Sequence, residues 1–174
     1  MRPSFAGPAL AAGLCLAAVV ADAQASADRQ VDAAIERLRT ALGSDARITV
    51  GSRQTDPATG RTRLGDVTIS WGQRRVTVAE MWLTEVTEIR LGRLEARGLR
   101  EQTKEDQSEA ARLLIVGMPL PAPGSAFDPA ELSFDQFELE GMRGGRPGEG
   151  NFTLGRVVAE GYQRASGATP GRLR

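Results

Sequence analysis

The chain has 174 residues, 41% of them hydrophobic and 5% aromatic, with 22 basic side chains balanced by 22 acidic ones. That length suits one domain with enough apolar material for a core, and the neutral balance gives no support to nucleic-acid binding. Histidine is absent and Cys15 is the only cysteine, which excludes Ser-His-Asp triads, zinc fingers and intrachain disulfides and leaves carboxylate chemistry, hydroxyl chemistry and oxygen-ligated metals.

Residues 1–25 read as a signal peptide. Arg2 gives a positive start, Phe5 to Ala21 carries no charge, and Ala21, Ala23 and Ala25 offer small-x-small cleavage sites. The apolar span is at the lower limit for crossing a bilayer, about 17 residues, so no stable transmembrane segment is expected after cleavage. Loss of the leader removes Cys15 and, with Arg2 and Asp22, one charge of each sign. The expected address is the periplasm or outside the cell.

Residues 26–163 then form one domain. Val31, Ile35, Leu38 and Leu42 lie at helical spacing and predict an amphipathic helix over 26–43, capped by Ser26 or Asp28 and stopped at Gly43. Residues 46–54 look extended, and Asp56 to Gly60 is a turn built on Pro57 and Gly60. Strands follow over 62–71, 74–86 and 89–100. Residues 101–111 are polar and read equally as a loop or an exposed helix, and the apolar run Leu113 to Val116 stays unassigned. An irregular proline-rich connection occupies 119–129. Strands return over 131–142 and 151–163, joined by a Gly- and Arg-rich loop, and residues 164–174 read as a disordered tail.

The two strand pairs look like copies of one another (74–100 and 131–163). Val76, Val78, Met81 and Leu83 correspond to Leu132, Phe134, Phe137 and Leu139 at a constant offset. Leu91, Gly92 and Arg93 correspond to Leu154, Gly155 and Arg156, and Ala96 and Gly98 to Ala159 and Gly161. Each strand shares one fault. The apolar residues alternate, then slip by three, as in Leu91 to Leu94, Leu154 to Val157 and Leu64 to Val67. Glycines Gly65, Gly92 and Gly155 sit at these slips. Glycine at a slip predicts a β-bulge, and bulges at similar heights would bend a sheet. The expected fold is α+β: an N-terminal amphipathic helix packed on a strongly curved antiparallel sheet of about six strands, built from duplicated hairpins. The concave side would be either an open groove or a core sealed by the helix.

The run Asp56, Pro57, Thr59, Gly60, Arg61, Leu64, Asp66, Val67, followed by Val76 and Val78, resembles the opening of repeats in AsmA/TamB-like envelope proteins. That resemblance implies a periplasmic β half-pipe that handles phospholipid. This chain departs from it in being far shorter than the bridge-forming members, and the family has no catalytic residue to carry over.

No enzyme activity and no cofactor or metal is expected. Glu80, Glu85 and Glu88, and likewise Asp135, Glu138 and Glu140, cluster in sequence as a carboxylate pair for glycoside cleavage would. Yet Glu138 and Glu140 alternate with Phe137 and Leu139, as on a solvated strand face, and no loop has calcium-ligand density. Leu91, Leu94, Phe134, Phe137, Leu154 and Val157 are the candidate ligand-lining residues. Arg93 and Arg156, which follow the slip glycines, are candidate contacts for a lipid phosphate. The expected function is non-enzymatic binding of lipid or another hydrophobic ligand in the groove. The alternative is an envelope protein that pairs with a partner through exposed strand edges.

Overall fold

The computed structural model describes residues 8–126, 133–146, 150–163 and 172–173. Among the described residues one helix, α1 (Pro8–Leu42), precedes nine strands: β1 (Arg47–Thr49), β2 (Ser52–Thr55), β3 (Thr62–Trp71), β4 (Arg74–Val86), β5 (Arg90–Gln102), β6 (Gln107–Pro119), β7 (Ser133–Arg146), β8 (Gly150–Gln163) and β9 (Arg172–Leu173). They form one antiparallel sheet in chain order, with β1 and β2 both pairing with β3. The sheet is open and only loosely curved, with nine strands where the sequence predicts about six in a tight arch.

The helix is continuous through residue 26, so Ser26 and Asp28 are not its caps. Asp28 instead accepts a hydrogen bond from the Thr55 hydroxyl at 2.6 Å, which ties the helix to β2. Gly43, at φ 122°, ends the helix as predicted. The polar stretch after residue 101 is the end of β5, a tight turn and the start of β6. The run Leu113 to Val116 lies inside β6. The predicted tail falls mainly outside the described residues, and its Arg172 and Leu173 form β9. The proline-rich connection likewise ends outside them.

The phase slips are present on every long strand, but they are not bulges. In a bulge two residues on one strand face one on its neighbour. Here Val78 faces Leu99 and Glu80 faces Arg97, so Ala79 stands opposite Gly98 with no residue inserted. The same holds at each slip, because neighbouring strands slip together. The slips therefore align into two lines across the sheet. The first runs through Gly51, Asp66, Ala79, Gly98, Ala111, Gly141 and Gly155. The second runs through Glu85, Gly92, Gly117, Asp135 and Gly161.

Each strand takes positive φ at the later line it meets: Asp66 at 53°, Glu85 at 55°, Gly98 at 64°, Gly117 at 74°, Gly141 at 61° and Gly161 at 62°. Strand direction alternates, so positive φ falls on every second strand along each line. Residues facing them are small or short for a steric reason. A Cβ on Gly98 would stand 2.9 Å from the Ala79 Cβ, and one on Gly141 would stand 3.1 Å from that of Ala111. Two of the glycines singled out from sequence, Gly92 and Gly155, play the second part, whereas Gly65 lies beside Asp66 and faces Ser52 and Glu80. Gly65, Gly92 and Gly155 lack positive φ; Gly92 faces Glu85, and Gly155 faces Gly141.

Candidate functional site

Because β4 to β8 slip at both lines and β3 slips with them at the first, one face stays apolar from β3 to β8. Matched registers carry Leu64, Met81, Ala96, Leu113, Leu139 and Val157 across it in one row. A parallel row runs Leu83, Leu94, Ile115, Phe137 and Ala159. Helix α1 covers only the β1–β4 end of this face. Val31 and Ala34 are fully buried against Leu64, Val67, Val78, Leu83, Leu91, Leu94 and Ala96, with Ile35 and Leu38 packed beside them. Polar ties hold the helix in place. Arg53 reaches Asp32 at 2.7 Å, and the Arg37 guanidinium donates to the Glu88 carbonyl.

Beyond the helix the face lies open. Phe152 and Leu154 are 44% and 45% exposed. Phe134 stacks on Tyr162 with centroids 5.2 Å apart, and Phe137 tilts against Phe134 at 5.6 Å. These aromatics and Val157 are half-buried. The apolar face is thus a sealed core at one end and an uncovered surface at the other, and the six lining candidates divide between them. Leu91 at 1% and Leu94 at 8% exposure belong to the core; Phe134, Phe137, Leu154 and Val157 belong to the open part. Sequence reasoning missed Phe152 and Tyr162 as members. The slip pattern that placed Leu154 also places both: Phe152 is two residues before it, and Tyr162 follows the slip at Gly161.

At the β5–β8 end of the open part, a cleft of 670 Å³ lies between the β5–β6 and β7–β8 hairpins. Gly144 makes room for it, since a Cβ there would meet the Ser108 side chain at 2.9 Å and the Phe152 ring at 3.0 Å. Its rim carries Arg100, Glu109 and Arg143, with Arg143 and Glu109 paired.

The opposite face is charged, and both phosphate-contact candidates are on it, engaged by carboxylates. Arg93 lies 3.7 Å from Glu95. Arg156 holds Glu138 at 2.7 Å and lies 3.9 Å from Glu140. Arg112 bridges Glu95, Glu138 and Glu140 at 3.1 to 3.6 Å. Glu138 is not the solvated residue that its alternation suggests. It is 5% exposed, because these two guanidinium groups cover it. Hydrogen bonding with Glu140 holds its carboxyl below the usual range, and Arg156 and Arg112 add to that against the opposing effect of burial. Burial raises Glu95, but hydrogen bonds from Arg112 and Arg97 outweigh it and leave its carboxyl low as well. These carboxylates are held ionised, the reverse of what a general acid needs. Glu80 pairs with Arg63 and Asp135 with Arg90. Among the described residues no group of three or more carboxylates is placed to hold a metal ion.

The fold and its face define an open antiparallel meander whose single apolar surface is half plugged by a helix. No protein-family model and no curated protein matches the chain. A solved structure that aligns with it is LptH, the LptA-homologous periplasmic component of the conserved lipopolysaccharide transport device from Pseudomonas aeruginosa. The identity is 13%, over 74% of this chain and 92% of that chain, with a TM-score of 0.34. A likeness that loose carries neither fold nor function. Among the described residues no helix is long and apolar enough to cross a membrane.

Proposed function

We propose that the protein is a non-enzymatic, exported binder of lipid or another elongated hydrophobic ligand, held on the open apolar surface of β6–β8. One observation carries this reading. The face that α1 seals at its β3–β4 end continues without a break onto strands where no described residue covers it, and its members there are large: Phe152 and Leu154, both exposed, and the half-buried Phe134–Tyr162 stack. A contiguous uncovered apolar patch next to a polar rim is the signature of a binding surface. The leader in residues 1–25 supports export. Phe134, Phe137, Leu154 and Val157 are the proposed lining, joined by Phe152 and Tyr162. Arg93 and Arg156 are left to their carboxylates, since a lipid phosphate would have to displace ion pairs on the wrong face.

Substitution divides the face in the way the reading requires. In Leu154→Asp the charge enters water, so the protein folds and binding of a fluorescent fatty-acid probe falls at least tenfold. In Leu91→Asp an unpaired charge enters the core at a cost of roughly 3–5 kcal/mol, and folding is lost. A folded Leu154→Asp protein that binds the probe as tightly as the parent overturns the proposal.

A further inference from the structure

We infer that the outer edge of β8, which β9 covers only at Ala159 and Glu160, pairs antiparallel with the β8 of a second copy, giving a two-fold dimer centred on Val158. This inference is independent of the ligand reading. It rests on the edge alone, and its test reads molecular size.

Beyond β9, which touches only Ala159 and Glu160, β8 exposes the rest of its 14-residue edge among the described residues. That edge holds no proline or lysine to discourage pairing. It also imposes a condition on any strand that adds to it. Along both lines of the sheet, a positive-φ residue faces a small or short residue that lacks positive φ. A strand beside β8 must therefore bring a small residue to Gly161 and a positive-φ residue to Gly155, six positions apart and in antiparallel order. A second β8 does this with its own Gly155 and Gly161.

The register fixed by those glycines makes the other pairs complementary. Arg156 faces Glu160 of the second copy, twice over by symmetry. Leu154 faces Tyr162 and Val157 faces Ala159 on the apolar side, so the open surfaces of the two copies join. Val158 faces itself. Glu160 is exposed and stands opposite Gln136 on β7 and Arg172 on β9, so in the dimer Arg156 of the second copy takes the place of one arginine opposite it. The other edge of the sheet does not fit. If Gly51 stood at Gly161, Pro57 would stand at Gly155, and proline's ring fixes φ near −65°. The two-residue strand β9 gives way in the dimer.

The test uses the full chain in a Cys15→Ser background. Opposed Cα atoms in an antiparallel pair lie about 4.5–5.5 Å apart, within disulfide reach. Val158→Cys is expected to oxidise to a covalent dimer, and Thr153→Cys, off the axis on the same strand, is not. By sedimentation, the chain without an added cysteine is expected to reach a dimer limit. Glu160→Arg sets like charges opposite each other twice and weakens the dimer about tenfold. A monomer at all concentrations, larger open-ended species, or equal cross-linking of the two cysteine variants overturns the inference.

Discussion

The residues that decide this fold stand on the two lines where alternation slips. Gly98 combines positive φ with an Ala79 Cβ that leaves no room for a side chain. Gly98→Ala is therefore expected to cost about 1–3 kcal/mol, measured by denaturant unfolding. Gly155, the more conspicuous glycine in sequence, has ordinary φ and open space around it. Gly155→Ala is expected to change stability by about 0.5 kcal/mol or less. Equal costs for the two would contradict the assignment of roles. On the charged face, Glu95 and Glu138 have folded values below the ordinary carboxylate value of 4.5. A depressed carboxylate contributes stability that is in place above its unfolded value and is lost as pH falls through its folded one. The melting temperature is thus expected to drop on acidification below 4.5. In Glu138→Gln that drop is shallower, because one of the two ionisations is gone, and the midpoint at neutral pH is lower, because Arg112 and Arg156 lose a buried partner. An unchanged acid slope in the variant would show that Glu138 is not held ionised by its neighbours.

At the scale of elements, α1 is a plug held by few contacts. Val31 is its deepest residue, 1% exposed, with Ala34 beside it. Val31→Asp should release the helix while the sheet persists. Its signature is higher binding of a fluorescent apolar dye with little loss of strand signal in circular dichroism. Full unfolding would show instead that the helix and sheet form one cooperative unit. The strands themselves were largely legible. Thr62–Trp71 and Arg74–Val86 have the predicted bounds, since each shows alternation on both sides of its slip. Strand β6 was not, although it obeys the same rule: Ser108 and Ala110, then Leu113 and Ile115, then Met118, with slips at Ala111 and Gly117. Its inward residues before the first slip are small or polar, so the first half reads as loop and the second as an isolated apolar run. The bulge expectation failed for a different reason. A slip on one strand looks identical in sequence to a slip shared by its neighbours, and only register separates them.

Across the whole molecule, the sequence could not distinguish a sealed core from an open groove, because an apolar residue that meets a helix and one that meets water carry the same letter. The sheet contains both. Its apolar face is longer than the part of α1 packed on it, and the excess is the proposed binding surface. Leucines and valines contribute to both ends, but the exposed Phe152 and the half-buried Phe134, Phe137 and Tyr162 lie on β7 and β8, outside the helix footprint. The same geometry separates charge from ligand. The arginine–glutamate network stiffens the outer face and leaves the inner face nearly free of charge between the two lines.

The most direct measurement is photo-cross-linking of the full chain with a diazirine-bearing fatty acid, mapped by peptide mass spectrometry. Labelling confined to Phe134, Phe137, Phe152, Leu154, Val157 and Tyr162 is the expected result. Labels on Val31 and Leu64, on the opposite, charged face where Arg97 lies over the Trp82 ring, or on no residue at saturating probe would contradict a binding surface on the uncovered half of the apolar face.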